Sequence, residues 1–362
     1  MPRPLHAERF LDCCDVKRII IHAGFGKCGN ASIRAALFQN FRKLQKHNVL
    51  IFDKDLTIAR NAADLVGTPI WSVERARKKA ESLTQKLGSE IAAVSRRKAD
   101  YVAILSAENL SNPGMAELFT GLDSQFEVCV VFYVRPQLQW IPSAWKQWGL
   151  KTGIPLGDFA SQCVEAHRPS FRLGIESWES ALPGTKLHVR FLVPELLRGG
   201  NPAQDFFHVL GLSQDDYDVE NNPRNPSLDF SVLHVLSKNP QLFSDIHDNS
   251  LMLALTRALP KKFRSTNIQM LSAEEEARIE EYFRHENLWL LKTYCSETDV
   301  DRIYRTYFMP QKAEARYSSM SDIDLIYRCL GIILESIAFS GEHVRLDESK
   351  IPAPNPFEAK EE

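Results

Sequence analysis

A chain of 362 residues is long enough for one large α/β domain or two ordinary ones. Hydrophobic residues at 44% and charged residues at 25% exclude disordered, collagenous and coiled-coil classes. With 44 Lys and Arg against 46 Asp and Glu, the net charge of −2 argues against a nucleic-acid binder working by general phosphate attraction. Any bound anion must therefore meet a local positive site. The seven cysteines are odd in number and form no Cys-x-x-Cys pair, and the ten histidines contain no His-Glu-x-x-His arrangement, so neither a disulfide framework nor a zinc site is expected. The first fifteen residues lack a signal-peptide core, and the longest apolar run, Val128–Val134, falls far short of the roughly 20 residues that span a bilayer. The expectation is a cytoplasmic protein with no transmembrane segment.

In chain order, residues 1–15 read as an N-terminal tail and residues 16–345 as an α/β domain, helical from about 229. Lys17–Ala23 (KRIIIHA) is a β-branched run ending in glycines, followed by strand candidates at Asn48–Phe52, Tyr101–Leu105, Phe126–Val134 and Lys186–Leu192. The run VCVVFYV is apolar without alternation, as in a parallel strand buried on both faces. Helical patterns at Ala31–Leu44, Val73–Arg97 and Pro142–Leu150 complete a β-α-β rhythm, which predicts a parallel, P-loop-like sheet flanked by helices. Ligands of such sheets bind beyond the carboxyl ends of the strands. Asp229–Ser237, Ala273–Tyr294 and Ser321–Ser340 form the helical C-terminal region. In the last, Ile323, Ile326, Tyr327, Leu330, Ile333, Leu334 and Ile337 share one stripe; these helices are expected to pack back on the sheet or to form a small helical subdomain. Residues 346–362, with three prolines and a charged end, read as a flexible tail.

His22-Ala-Gly24-Phe-Gly26-Lys27-Cys28-Gly29-Asn30-Ala31-Ser32 follows the first strand and opens a helix. Such a unit aims free backbone N–H groups and the positive end of a helix dipole at one point. Gly24 and Gly29 have the spacing of the two glycines in GxxxxGK[ST], yet Asn30 and Ala31 stand where that motif has its lysine and its magnesium-binding hydroxyl. The lysine is inside the loop, at Lys27. A phosphate cradle without magnesium apparatus fits this pattern, and so does an ordinary β-α turn whose glycines only ease packing.

A second segment separates the two. Arg135 follows the fourth strand, on the ligand side of a parallel sheet, and its planar fork suits a phosphate. Ser143, eight positions on and near the start of the next helix, adds a hydroxyl; Pro136 or Pro142 opens that helix. Taken alone, the pair also reads as a surface ion pair with a capping serine.

Together the two segments resemble the sulfotransferase superfamily that uses 3′-phosphoadenosine 5′-phosphosulfate (PAPS), in its bacterial style. His22–Ser32 is similar to the family's 5′-phosphosulfate loop, with Lys27 at its lysine, and Tyr133-Val-Arg135 through Ser143 to its 3′-phosphate motif. Leu105-Ser106-Ala107-Glu108-Asn109, Trp178, His188-Val-Arg190-Phe191 and Pro202–Leu212 follow in the family's order. Asn222-Pro-Arg224-Asn225-Pro-Ser227-Leu228 resembles a polar loop that closes over the donor. The likeness covers roughly residues 17 to 230, and departs from the family at Asn30 and Ala31, where Ser or Thr is usual. Asn30 could still donate through its amide, and Ser32 could substitute for the hydroxyl missing at Ala31.

The resemblance implies a sulfotransferase moving a sulfuryl group from PAPS to a hydroxyl or amine, without metal. Gly26, Lys27, Cys28, Gly29, Asn30, Ala31 and Ser32 would hold the 5′ end, Arg135 and Ser143 the 3′-phosphate, and Arg224 would close over the donor. Lys27 would neutralise the leaving oxygen, and Glu108, at the end of the third strand, is the first choice of base. Glu108 reads equally as a structural carboxylate. The acceptor class preferred is a carbohydrate or glycolipid, with no nucleic-acid partner. Two rival readings are a nucleoside-triphosphate-dependent kinase, with Asp53 after strand two as its remaining acidic metal ligand, and a non-catalytic adenosine-bisphosphate-binding relative.

Overall fold

Five β-branched and aromatic runs pair into one sheet in which every neighbour is parallel: β1 (Lys17–Gly24), β2 (Val49–Ile51), β3 (Tyr101–Glu108), β4 (Glu127–Val134) and β5 (Lys186–Phe191), in the order β2-β3-β1-β4-β5. The computed structural model describes residues 17–95, 101–212, 217–219, 227–265, 270–297, 299–311 and 320–339. The expected tails and Arg224 lie outside the described residues. Burial on both faces explains the continuous apolar runs: Ile19, Ile20 and Ile21 of β1 and Val130 to Tyr133 of β4 are all buried. β1 is central, with β3 and β4 on its two sides. The chain crosses over it between them, which opens a crevice at the carboxyl edge above β1.

The expected parallel α/β sheet with a helical C-terminal region is therefore present, with revised boundaries. The pattern over 31–44 is two helices, α1 (Asn30–Gln39) and α2 (Phe41–Lys46), because Asn40 turns its side chain to the main chain of Asp218. Its Nδ2 donates to the Asp218 carbonyl and its Oδ1 accepts from the Asp218 N–H. The basic stretch from 73 also divides, into α3 (Ile70–Lys78) and α4 (Thr84–Ser95), with Ala80 at φ 51° between them. The next helix, α5 (Gln137–Gln147), begins behind Pro136 and carries Pro142 in its interior, so Ser143 lies mid-helix rather than near its start.

Helices α6 (Leu156–Glu165) and α7 (Phe171–Ala181) precede β5, and α8 (Pro202–Val209) follows it. A buried network joins these last elements. Asp205 of α8 accepts from the Tyr133 hydroxyl at 2.9 Å, Arg190 Nε at 2.8 Å and the Arg198 N–H at 2.9 Å, so its carboxylate is fully occupied. The C-terminal region holds α9 (Phe230–Ser237), α10 (Ser250–Ala258), α11 (Ala273–Tyr294), α12 (Val300–Tyr307) and α13 (Asp322–Phe339). A two-stranded antiparallel ladder, β6 (Ser227–Leu228) with β7 (Arg264–Ser265), lies among them.

The apolar stripe of α13 does not face the sheet. Leu325, Cys329 and Ile332 are buried, while Ile323, Ile326, Tyr327, Leu330, Ile333 and Leu334 point outward. Arg328 sets this rotation: it pairs with Asp229, the N-cap of α9, at 2.7 Å and turns its own face of the helix inward.

Candidate functional site

The loop from Phe25 to Gly29 leaves β1 at the crevice and turns into α1 through two left-handed residues, Lys27 at φ 63° and Gly29 at φ 88°. For a lysine this conformation costs about 1–2 kcal/mol, so its surroundings must enforce it. They do so by taking up the loop's carbonyl oxygens from outside. The Gly24 carbonyl accepts from the Asn109 N–H and the Ser111 hydroxyl, and that of Phe25 from Asn30 Nδ2 at 2.8 Å and the Cys28 N–H at 3.2 Å. The Gly26 carbonyl accepts from Trp140 Nε1 at 2.7 Å and that of Lys27 from Arg135 Nη1 at 3.5 Å. With its carbonyls turned away, the loop aims its donors at the crevice. The N–H groups of Gly26, Lys27, Gly29, Asn30 and Ala31 have no acceptor among the described residues. This is the electrostatic pattern of an anion nest at a helix N-terminus.

Two members of the loop act as scaffold. Cys28 is fully buried, its N–H closes the turn onto Phe25, and burial pushes its thiol pKa up. Asn30 is also buried, and its Nδ2 donates one hydrogen to the Phe25 carbonyl, which braces the loop. A Cβ at Gly24 would overlap Asn30 Oδ1 and stand 3.1 Å from the Ala107 carbonyl oxygen, which explains the glycine there. Ala31 contributes only its N–H, and Ser32 stands half-buried one residue further along the first turn. At Gly26 a Cβ would come within 3.3 Å of Glu108 Oε1 and 3.5 Å of the Trp148 ring, so this glycine keeps the floor of the crevice clear.

Around the loop stand three cations with no carboxylate ion pair among the described residues: Lys27, Arg135 and Lys146. Burial lowers the pKa of each. For Lys27, Glu108 partly offsets this and Arg135 adds to it. Lys146 is pushed down to about 8 by burial, then by the charges of Arg135 and Lys27. Its ammonium donates to the Ser227 hydroxyl at 3.0 Å, and Lys27 Nζ lies 3.5 Å from Gln147 Oε1. Like charges gathered in a half-buried crevice repel one another unless an anion joins them, and such a cluster marks a candidate anion site. Ser143, Lys146 and Gln147 fall on one face of α5 at i, i+3 and i+4.

Glu108 ends β3 in register with Gly24, and its carboxylate accepts no hydrogen bond among the described residues. It caps no helix. Nearby, a shallow open recess is lined by Arg34, Leu37, Asp53, Lys54, Leu65 and Ser106, among others. Arg34 reaches into this wall and donates to the carbonyls of Leu65 and Gly67. Asp53 uses both carboxylate oxygens on its own turn, accepting from the N–H groups of Asp55 and Thr57 and from the Thr57 hydroxyl.

The structure thus brings Gly26, Lys27, Gly29, Asn30, Ala31, Ser32, Arg135, Ser143 and Glu108 to one end of the sheet. Sequence reasoning passed over Lys146 and Arg34. Lys146 had a signal, since it lies three residues beyond Ser143 on the same helical face, whereas nothing in the spacing tied Arg34 to the recess. His22 is buried beneath the loop, hydrogen-bonded to Ser106 at 2.9 Å, and its pKa falls to about 3 through burial. His167 pairs with Glu286 at 2.9 Å. Of the tryptophans, Trp140 and Trp145 are core residues and Trp148 covers Gly26. Comparison of the chain with protein-family models, with curated proteins and with solved structures found no match.

Proposed function

We propose that the protein is a PAPS-dependent sulfotransferase whose donor sits on the nest formed by the loop from Gly26 to Ala31. The observation that carries the reading is the convergence of Arg135, from the end of β4, on the carbonyl of a left-handed Lys27, leaving two cations and a row of free N–H groups facing one crevice. Two anionic groups of a single bisphosphorylated nucleotide fit such a pair of neighbouring positive sites. PAPS supplies the activated sulfuryl group. The N–H groups of Gly29, Asn30 and Ala31 bind the 5′-phosphate, and Arg135, Ser143 and Lys146 bind the 3′-phosphate. Lys27 stabilises the charge that develops on the phosphate oxygen as its bond to sulfur breaks. Glu108 accepts the proton of the acceptor hydroxyl as the new oxygen–sulfur bond forms, giving a sulfate ester and adenosine 3′,5′-bisphosphate. The acceptor class proposed is a carbohydrate.

Thermal shift with adenosine 3′,5′-bisphosphate against ATP plus magnesium tests the donor without knowledge of the acceptor. Stabilisation by the bisphosphate alone is expected. Stabilisation by magnesium-ATP alone returns the kinase reading. Transfer of labelled sulfate from PAPS to a carbohydrate panel then separates an enzyme from a non-catalytic binder.

A further inference from the structure

The outward stripe of α13 is an apolar feature that the candidate site leaves unused. Ile323, Ile326, Tyr327, Leu330, Ile333 and Leu334 are 42% to 69% exposed, although a helix of this kind normally turns such a face to the core. Their spacing has a further property. Position 326 is as far before 330 as 334 is after it, and 327 mirrors 333 in the same way. A helix whose apolar face is symmetric about one residue is complementary to an antiparallel copy of itself.

We propose that α13 pairs with the α13 of a second copy of this chain, antiparallel, about a two-fold axis passing at Leu330. Ile326 then meets Leu334 of the partner helix, Tyr327 meets Ile333, and Leu330 meets its own counterpart, the isologous contact that closes a dimer. Each chain contributes six large side chains at about half exposure, an area of the same order as the roughly 800 Å² per partner of a standard interface. Gly331 has no atom within 4 Å of where its Cβ would stand, so the backbone beside Leu330 is open to a neighbouring helix. The charged groups of α13 are occupied within the chain: Arg328 with Asp229, Asp322 with His234 and Lys238, Asp324 with the Ser321 hydroxyl, and Glu335 with Lys262. They leave a face whose recognition is apolar and set by shape, and antiparallel helix dipoles add a favourable term.

Sedimentation velocity of the full chain at about 10 µM, a concentration at which a standard-sized interface is populated, should show a dimer. Leu330→Glu places two like charges on the axis and should give a monomer with an unchanged far-ultraviolet circular dichroism spectrum. Ile326→Cys combined with Leu334→Cys should cross-link into covalent dimers on mild oxidation, more than wild type or either single variant. Within one helix these positions are about 12 Å apart, too far for an internal disulfide. A monomeric wild type overturns the proposal, including one that instead binds phosphatidylcholine vesicles through the stripe. A dimer that persists in Leu330→Glu, or a double-cysteine variant that cross-links no better than wild type, overturns it as well.

Discussion

Replacing Arg135 with methionine keeps the apolar stem of the side chain and removes its charge, which separates two roles that an alanine would confuse. In the free protein Arg135 stands with Lys27 and Lys146 and has no carboxylate partner among the described residues. Removing its charge relieves repulsion from both lysines, on the order of 1 kcal/mol in total once water and salt screen the cluster. Loss of the 3.5 Å hydrogen bond to the Lys27 carbonyl opposes the relief, because a net hydrogen bond contributes about 1 kcal/mol. The two effects nearly cancel, so the unliganded melting temperature should move by no more than about 2 °C. Binding behaves differently. Removing one partner of a buried charge-assisted contact costs about 3 kcal/mol, roughly a hundredfold in affinity for adenosine 3′,5′-bisphosphate. Titration calorimetry and scanning fluorimetry on the same samples measure both quantities. An affinity within about threefold of wild type removes Arg135 from the donor site. A melting temperature lowered by several degrees identifies it as a structural residue.

Lys27 offers a second separation of stability from function. Lys27→Ala should lower single-turnover transfer by about 10³-fold or more, and Lys27→Gly should do the same while melting higher than the alanine variant, because glycine adopts φ 63° without strain. Equal melting temperatures for the two would show that the left-handed turn stores no strain. Gly24→Ala should destabilise the fold by about 1–3 kcal/mol, since its methyl meets the buried Asn30 side chain and the Ala107 carbonyl; chemical denaturation measures the loss. Lys146 gives a pH signature with a definite sign. Its pKa is depressed to about 8 in the folded chain, so between about pH 8 and pH 10.5 only the unfolded chain holds that proton, and this residue's contribution to stability rises with pH. Bisphosphate affinity moves the opposite way, falling above pH 8 as the cationic form is lost. In Lys146→Met both trends should flatten, and calorimetry that shows an unchanged pH dependence in that variant would assign the effect elsewhere.

Several parts of this protein were legible before any fold was known. VCVVFYV announces a buried parallel strand because it has no polar face to present to water. Ala273–Tyr294 declares its start, where Ser272 and Glu275 form a reciprocal cap. The glycine loop and Arg135 point to the carboxyl edge because a strand's chemistry ends there in any parallel sheet. What remained undecided depended on partners distant in sequence. The helix over 31–44 breaks at Asn40 because its amide finds Asp218, 178 residues away. The stripe of α13 is plain in its spacing, but periodicity establishes only that a helix is amphipathic. Which side turns inward was settled by the pairing of Arg328 with Asp229, 99 residues away, a contact that local spacing does not encode.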